Sequence, residues 1–196
     1  MKKVLIALVV IIAAVVVLIA LRPDTFHVER STEIDSPRDI PFGLVADFHQ
    51  WDGWSPWEKL DPGMKKTYEG TPGAVGSSYH WAGNDDVGEG KMTLTAADAP
   101  SSLAIKLDFI KPFEANNQIA FNFAADGEKT KVTWAMDGHN NFMTKAMGLF
   151  MDMDSMVGPD FEKGLASLKS LSEAEAAKRK TEVAAPAEQP AEPPVE

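Results

Sequence analysis

Cysteine is absent from the 196-residue chain. With it go disulfides, thiol nucleophiles, iron–sulfur clusters and thiolate zinc sites. Positive charge is scarce: 19 lysines and arginines stand against 29 acidic residues, a net charge of -10. That balance argues against nucleic acid as a partner, because phosphates need a basic face to neutralise them. Histidine is down to four residues, His27, His49, His80 and His139, which share no metal-ligand spacing, and there is no HExxH. The acidic stretch "GNDDVGEG", Gly83 to Gly90, fails the spacing of a calcium loop. A phosphate-cradling glycine loop and a nucleophile elbow are missing too. These absences disfavour metallohydrolase, calcium-sensor, nucleotide-binding and serine-hydrolase readings. No catalytic residue, metal or cofactor is implied, and the balance leans away from an enzyme.

What the chain does have begins at its start. Val4 to Leu21 is apolar without interruption. At 1.5 Å per residue it covers about 27 Å, enough to cross a hydrocarbon core of roughly 30 Å. Lys2 and Lys3 lie before it, which keeps that end in the cytoplasm by the positive-inside rule. A cleaved signal peptide has a shorter run that ends in small residues around the cut. Here the run closes with Leu18-Ile19-Ala20-Leu21-Arg22-Pro23. The preferred reading is an uncleaved, single-pass anchor at residues 1–22 in the inner (plasma) membrane. The globular part then lies outside the cytoplasm.

At the other end, residues 172–196 open with "SEAEAAKRK", which can prolong a helix, Glu175 and Arg179 standing at the favourable i,i+4 spacing. The closing "AAPAEQPAEPPVE" has no aromatic residue and reads as a disordered tail. Between anchor and tail, residues 24–171 form a segment of roughly 150 residues, able to bury a core without staples.

Periodicity divides that segment into elements. "FHVERSTEID" is a first strand. Ser36 and Pro37 open a short helix, with Pro41 bending or shortening it, that ends near Phe48. "WDGWSPWEKLDP" follows, holding Trp51, Trp54 and Trp57, three of the five tryptophans, in a stretch broken by Gly53, Pro56 and Pro62. Six strands come next, each with one apolar face: "KKTYEG", "SSYHWAG", "KMTLTA", "SLAIKLDFI", "NNQIAFNFA" and "TKVTWAM". Short turns between them make an antiparallel meander. Strand parity aims Tyr79, Trp81, Phe109, Asn117, Phe121 and Trp134 inward. Lys106 and Asp108 pair on the outer face, and Lys111 and Glu114 flank a turn as a second pair. The last apolar-periodic stretch covers the sheet. In it Phe142, Ala146, Leu149, Phe150 and Met153 recur at helical spacing, as do Phe161, Leu165 and Leu168. Gly158-Pro159 predicts a kink or a second helix start.

This layout resembles the SRPBCC superfamily, the START and birch-pollen-allergen-like helix-grip fold, in its polyketide cyclase/dehydrase branch. The resemblance runs from about Thr25 to Leu171. It is carried by "RSTEIDSPRDIPFGLVADFHQWDGWSPW", "GAVGSSYHW", "GEGKMTL", "IKLDFIKPFEA", "TKVTWAM" and "FEKGLASLK". It implies an α+β fold, a curved antiparallel sheet of about seven strands around a long C-terminal helix, with an apolar cavity between them. It carries over no catalytic motif.

On that fold Trp51, Trp54 and Trp57 line or close the cavity, or else plug the sheet end. Tyr79 and Asn117 orient a polar group of a ligand, or else bond within the core. Met143, Met147, Met151, Met153 and Met156 form an adaptable apolar wall or lid, or else fill gaps in a helix core. The expected ligand contacts are Trp54, Trp57, Tyr79, Trp81, Phe109, Asn117, Phe121, Trp134, Met147, Phe150 and Met151. Two functions stay open: a membrane-tethered binding module for a lipid or other apolar small molecule, and a cyclase or dehydratase acting on an apolar or polyketide-like substrate. A third, an interaction module with its interior filled, would need the tryptophans as a plug.

Overall fold

The computed structural model describes residues 1–150 and 152–184. The expected tail beyond residue 184 and the candidate contact Met151 lie outside the described residues. The elements run α1 (Lys2–Ala20), β1 (Thr25–Ile34), α2 (Asp39–Ala46), two 3-10 turns (Phe48–Gly53 and Trp57–Lys59), β2 (Lys65–Glu69), β3 (Ser78–Ala82), β4 (Glu89–Asp98), β5 (Ser102–Lys111), β6 (Ala115–Asp126), β7 (Lys129–His139), α3 (Phe142–Met147) and α4 (Met153–Ala184). Helix α1 is long and apolar enough to cross a membrane by length and composition.

All seven strands join one antiparallel sheet in the order β1-β7-β6-β5-β4-β3-β2. Strands 2 to 7 therefore follow the meander their period-two pattern predicts. The first strand instead crosses to the far edge and pairs with the last, Thr25 facing His139 and Ile34 facing Thr130. Register shifts at Glu89/Gly90 and Leu94/Ala96 bend β4 and help curl the sheet. Gly90 also allows a close approach: a Cβ there would lie 2.4 Å from the Trp81 ring.

The inward faces of β4 to β7 supply Leu94, Leu103, Ile105, Ile119, Phe121, Phe123, Val132 and Trp134, all buried. Helix α4 closes over one half of this face with Phe161, Leu165 and Leu168. Gly164 lets the helix come down, since a Cβ there would lie 2.8 Å from the Trp134 ring. The grip is tied at the edge by Arg30 of β1, whose guanidinium meets Asp154 at 2.7 Å and Glu162 at 2.8 Å on α4.

Several local expectations need correction. Ser36 does not cap α2. It is buried, and its carbonyl accepts the Thr130 hydroxyl at 2.7 Å, so the Ser-Pro pair fastens the end of β1 to β7. The helix starts at Asp39 with no side-chain cap. Pro41 then falls in its first turn, where the N–H groups have no intrahelical partner, and costs nothing. Pro159 does not restart the C-terminal helix but lies inside α4. The interruption falls earlier, between Met147 and Met153. Residues 142–150 therefore do not form the predicted core face, and Phe150 is 93% exposed. Lys111 pairs with Glu89 at 2.7 Å rather than with Glu114, because the β4–β5 pairing sets those two side by side. Lys106 and Asp108 do pair, at 2.9 Å. Helix α4 runs through residue 172 unbroken, with Ser172 and Ala176 buried, so the packed part of the domain extends beyond Leu171.

Candidate functional site

Sheet and helix do not meet everywhere. Between the inner faces of β3 to β7, the tryptophan turns and the first turns of α4 lies a cavity of about 360 Å³. That volume is within the range of small-molecule sites, roughly 300–1,000 Å³. Its apolar wall comes from Trp57, Trp81, Met92, Leu107, Phe109, Ile119, Trp134, Met136 and Phe161, with Met153 and Val157 from α4. Exposed Asp86, Lys111, Phe113 and His139 also border it, so it opens to solvent at that end of the sheet.

Five polar side chains that are buried or half-buried line it: Ser55, Glu58, Tyr79, Asn117 and Thr144. The Tyr79 hydroxyl donates to Glu58 Oε1 at 2.8 Å. The Glu58 side chain is 6% exposed, and Lys66 Nζ lies 2.5 Å from its Oε2. That contact is close but misaligned for a hydrogen bond, so Oε2 has a charge partner and no hydrogen-bond partner among the described residues. Lys66 reaches outward to Asp52, also at 2.5 Å. Asp52, Lys66, Glu58 and Tyr79 thus form a chain from solvent to cavity. Burial works against the Lys66 charge, but the carboxylates of Asp52 and Glu58 beside it outweigh this and hold its pKa above the ordinary lysine value. Burial, reinforced by Glu58, pushes the Tyr79 phenol well above ordinary tyrosine.

The chain has two tyrosines. Tyr68 stacks on Tyr79 with ring centres 5.0 Å apart, and burial raises its phenol as well. An unfolded chain releases phenolic protons near pH 10, whereas the fold retains them. Raising the pH then favours the unfolded state. Stability from Tyr79 is whole below pH 10 and declines as pH climbs above it. Absorbance at 295 nm should show no phenolate up to about pH 10, and Tyr79→Phe should soften the alkaline fall in melting temperature. Ordinary tyrosine ionisation in the folded chain would contradict the buried pair.

Of the expected contacts, Trp57, Tyr79, Trp81, Phe109, Asn117 and Trp134 come together on the cavity wall. Trp54 and Phe121 do not reach it. Trp54 is fully buried and donates its Nε1–H to the Leu44 carbonyl at 3.1 Å. Phe121 stacks between Phe123 and Trp134. Met147 borders a smaller cavity of about 220 Å³ with Arg22, Pro23 and Phe26, and Phe150 points to solvent. Parity along a strand found Tyr79 and Asn117. It had no purchase on Glu58, which sits in a 3-10 turn, although a carboxylate beside Trp57 in an aromatic-rich stretch was a signal available. Trp51 lines the wall as well, and Ser55, Met92, Leu107 and Phe161 do so unforeseen.

The family model described as "Polyketide cyclase / dehydrase and lipid transport" matches residues 25–173. No curated protein sequence matches the chain. Among solved structures, the ginseng major latex-like protein 151 from Panax ginseng is similar with a TM-score of 0.54 and 22% identity, over 79% of this chain and 99% of that one. A structural-genomics target from Chromobacterium violaceum has a TM-score of 0.54 and 11% identity, over 78% and 99% of the two chains. The di-domain ARO/CYC protein BexL of the BE-7585A biosynthetic pathway reaches a TM-score of 0.57 at 14% identity. There 81% of this chain covers 53% of that one. At these identities the likeness concerns the fold.

Proposed function

Because the chain belongs to the polyketide cyclase / dehydrase and lipid transport family of the SRPBCC superfamily, we propose that it is a membrane-tethered binding module for a lipid or other apolar small molecule. The observation that carries this reading is the solvent-connected apolar cavity of about 360 Å³ between sheet and α4. Trp57, Trp81, Phe109 and Trp134 supply the apolar contacts, and Tyr79 and Asn117 the polar ones. Helix α1 is the tether, with Lys2 and Lys3 on the cytoplasmic side and the domain outside. A tether raises the local concentration of membrane-derived ligand at the cavity.

Full-length protein should stay with carbonate-washed membranes. Released in a non-ionic detergent, it should show in native mass spectrometry a one-to-one adduct of an apolar molecule. Only bare-chain masses, before and after incubation with membrane lipid extract, would overturn the reading. A second reading, a cyclase or dehydratase, is favoured by one observation: the Glu58–Tyr79 pair at the cavity wall. A buried carboxylate and phenol in contact can move a proton at a bound carbonyl compound. Turnover that disappears in Tyr79→Phe while the adduct persists would establish it.

A further inference from the structure

The interior wall of the cavity is mostly apolar, and at the corner where Tyr79 meets Glu58 its chemistry is one-sided. Tyr79 has a single proton to donate, and it goes to Glu58 Oε1. What the phenol still offers is oxygen lone pairs. Glu58 takes that proton on Oε1, and its Oε2 is closed off from solvent and cavity alike, with Lys66 Nζ 2.5 Å away. The three charged members, Asp52, Glu58 and Lys66, add up to one net negative charge. The corner therefore accepts hydrogen bonds and repels anions. Asn117 stands elsewhere on the wall, buried, and among the described residues its amide donates only to the Met136 sulfur at 3.8 Å, a weak acceptor.

Resting on the cavity reading above, we propose that this corner is a hydroxyl-recognition subsite. The ligand is a neutral apolar molecule carrying an alcohol or phenol group, and free fatty acids are rejected. A ligand O–H donates to a lone pair of the Tyr79 oxygen, whose own proton is held by Glu58. A carboxylate brings no proton, meets a like charge and cannot be matched by Lys66, which faces Glu58 from outside the cavity. An alkylammonium satisfies the acceptor but must shed its hydration shell to enter the pocket, a cost that a neutral hydroxyl escapes.

The test uses the full-length chain in a non-ionic detergent at pH 8. Four probes of one chain length, dodecane, 1-dodecanol, dodecanoate and dodecylammonium, compete with the neutral fluorophore N-phenyl-1-naphthylamine. Dodecanol should bind about tenfold more tightly than dodecanoate, the cost of one buried unpaired polar group. It should also outbind dodecane and dodecylammonium. Glu58→Gln should bring dodecanoate to within about threefold of dodecanol, because the new amide donates and the charge is gone. Tyr79→Phe, which leaves the packing nearly intact, should weaken dodecanol and leave dodecane unchanged. Equal binding of dodecanol and dodecanoate by the wild-type chain would overturn the subsite but leave the cavity standing. Preference for dodecylammonium would overturn the neutral-ligand assignment. Failure of all four probes to displace the fluorophore would overturn the cavity reading itself.

Discussion

Trp134→Ala should cost about 3–5 kcal/mol of folding free energy, the upper range for a buried large-to-small change. Trp134 is wholly buried on β7. Phe161 of α4 stacks on it at 4.0 Å, and Phe121 lies on it at 5.0 Å. Trp54 and Trp57 meet it edge-on at 5.5 and 5.8 Å. One ring thus joins the sheet, the tryptophan turns and the C-terminal helix, and its loss leaves a hole that rigid aromatic neighbours cannot collapse to fill. Trp134→Phe should cost much less. Phenylalanine keeps a ring in the stack and removes an indole N–H that has no acceptor among the described residues. Urea unfolding of the full chain, followed by far-ultraviolet circular dichroism, checks both. A loss below about 1 kcal/mol for the alanine variant, the level of an ordinary surface change, would show that this stack is not the keystone of the grip.

Leu107→Trp should abolish ligand binding while sparing the fold. Leu107 lies on β5 between Met92 of β4 and Asn117 of β6, facing the cavity. Overpacking a filled core costs about 1–3 kcal/mol, but here the larger ring has open space to enter, so the melting temperature should hold. The fluorophore should then bind about a hundredfold more weakly, equivalent to roughly 2.7 kcal/mol. A folded Leu107→Trp chain that binds as well as wild type would mean the ligand sits elsewhere. Together the two substitutions separate the packing that holds the domain up from the empty space beside it.

That separation could not be read from the sequence. The strands could, because a sheet with one covered face writes its geometry as alternation: Leu103, Ile105 and Leu107 in, Lys106 and Asp108 out. Parity also put Tyr79 and Asn117 on the inner side. It could not say how deep a side chain sits, and Trp54 and Trp57, three residues apart, ended as core and wall. Depth depends on how two 3-10 turns cross the end of the sheet, and no period describes such turns. Helical spacing misled over residues 142–150 because exposed apolar side chains at that spacing look like a core face. Ser36 misled because its carbonyl, rather than its hydroxyl, is what the fold uses. The pairing of Glu58 was not legible because its partner Tyr79 lies 21 positions away and only the folded chain makes them neighbours.

The pairing of the first strand with the last has a consequence in time. β2 to β7 can zip in sequence, each hairpin closing a short loop onto a neighbour already made. β1 has no such neighbour. Its only partner in the sheet is β7, and the helix it is tied to through Arg30 comes later still. Closing that long loop is the entropically costly step, and it cannot begin until nearly the whole domain has been synthesised. During synthesis the bare edge of β1 must wait, and a chain cut short after β6 never acquires the strand that would cover it.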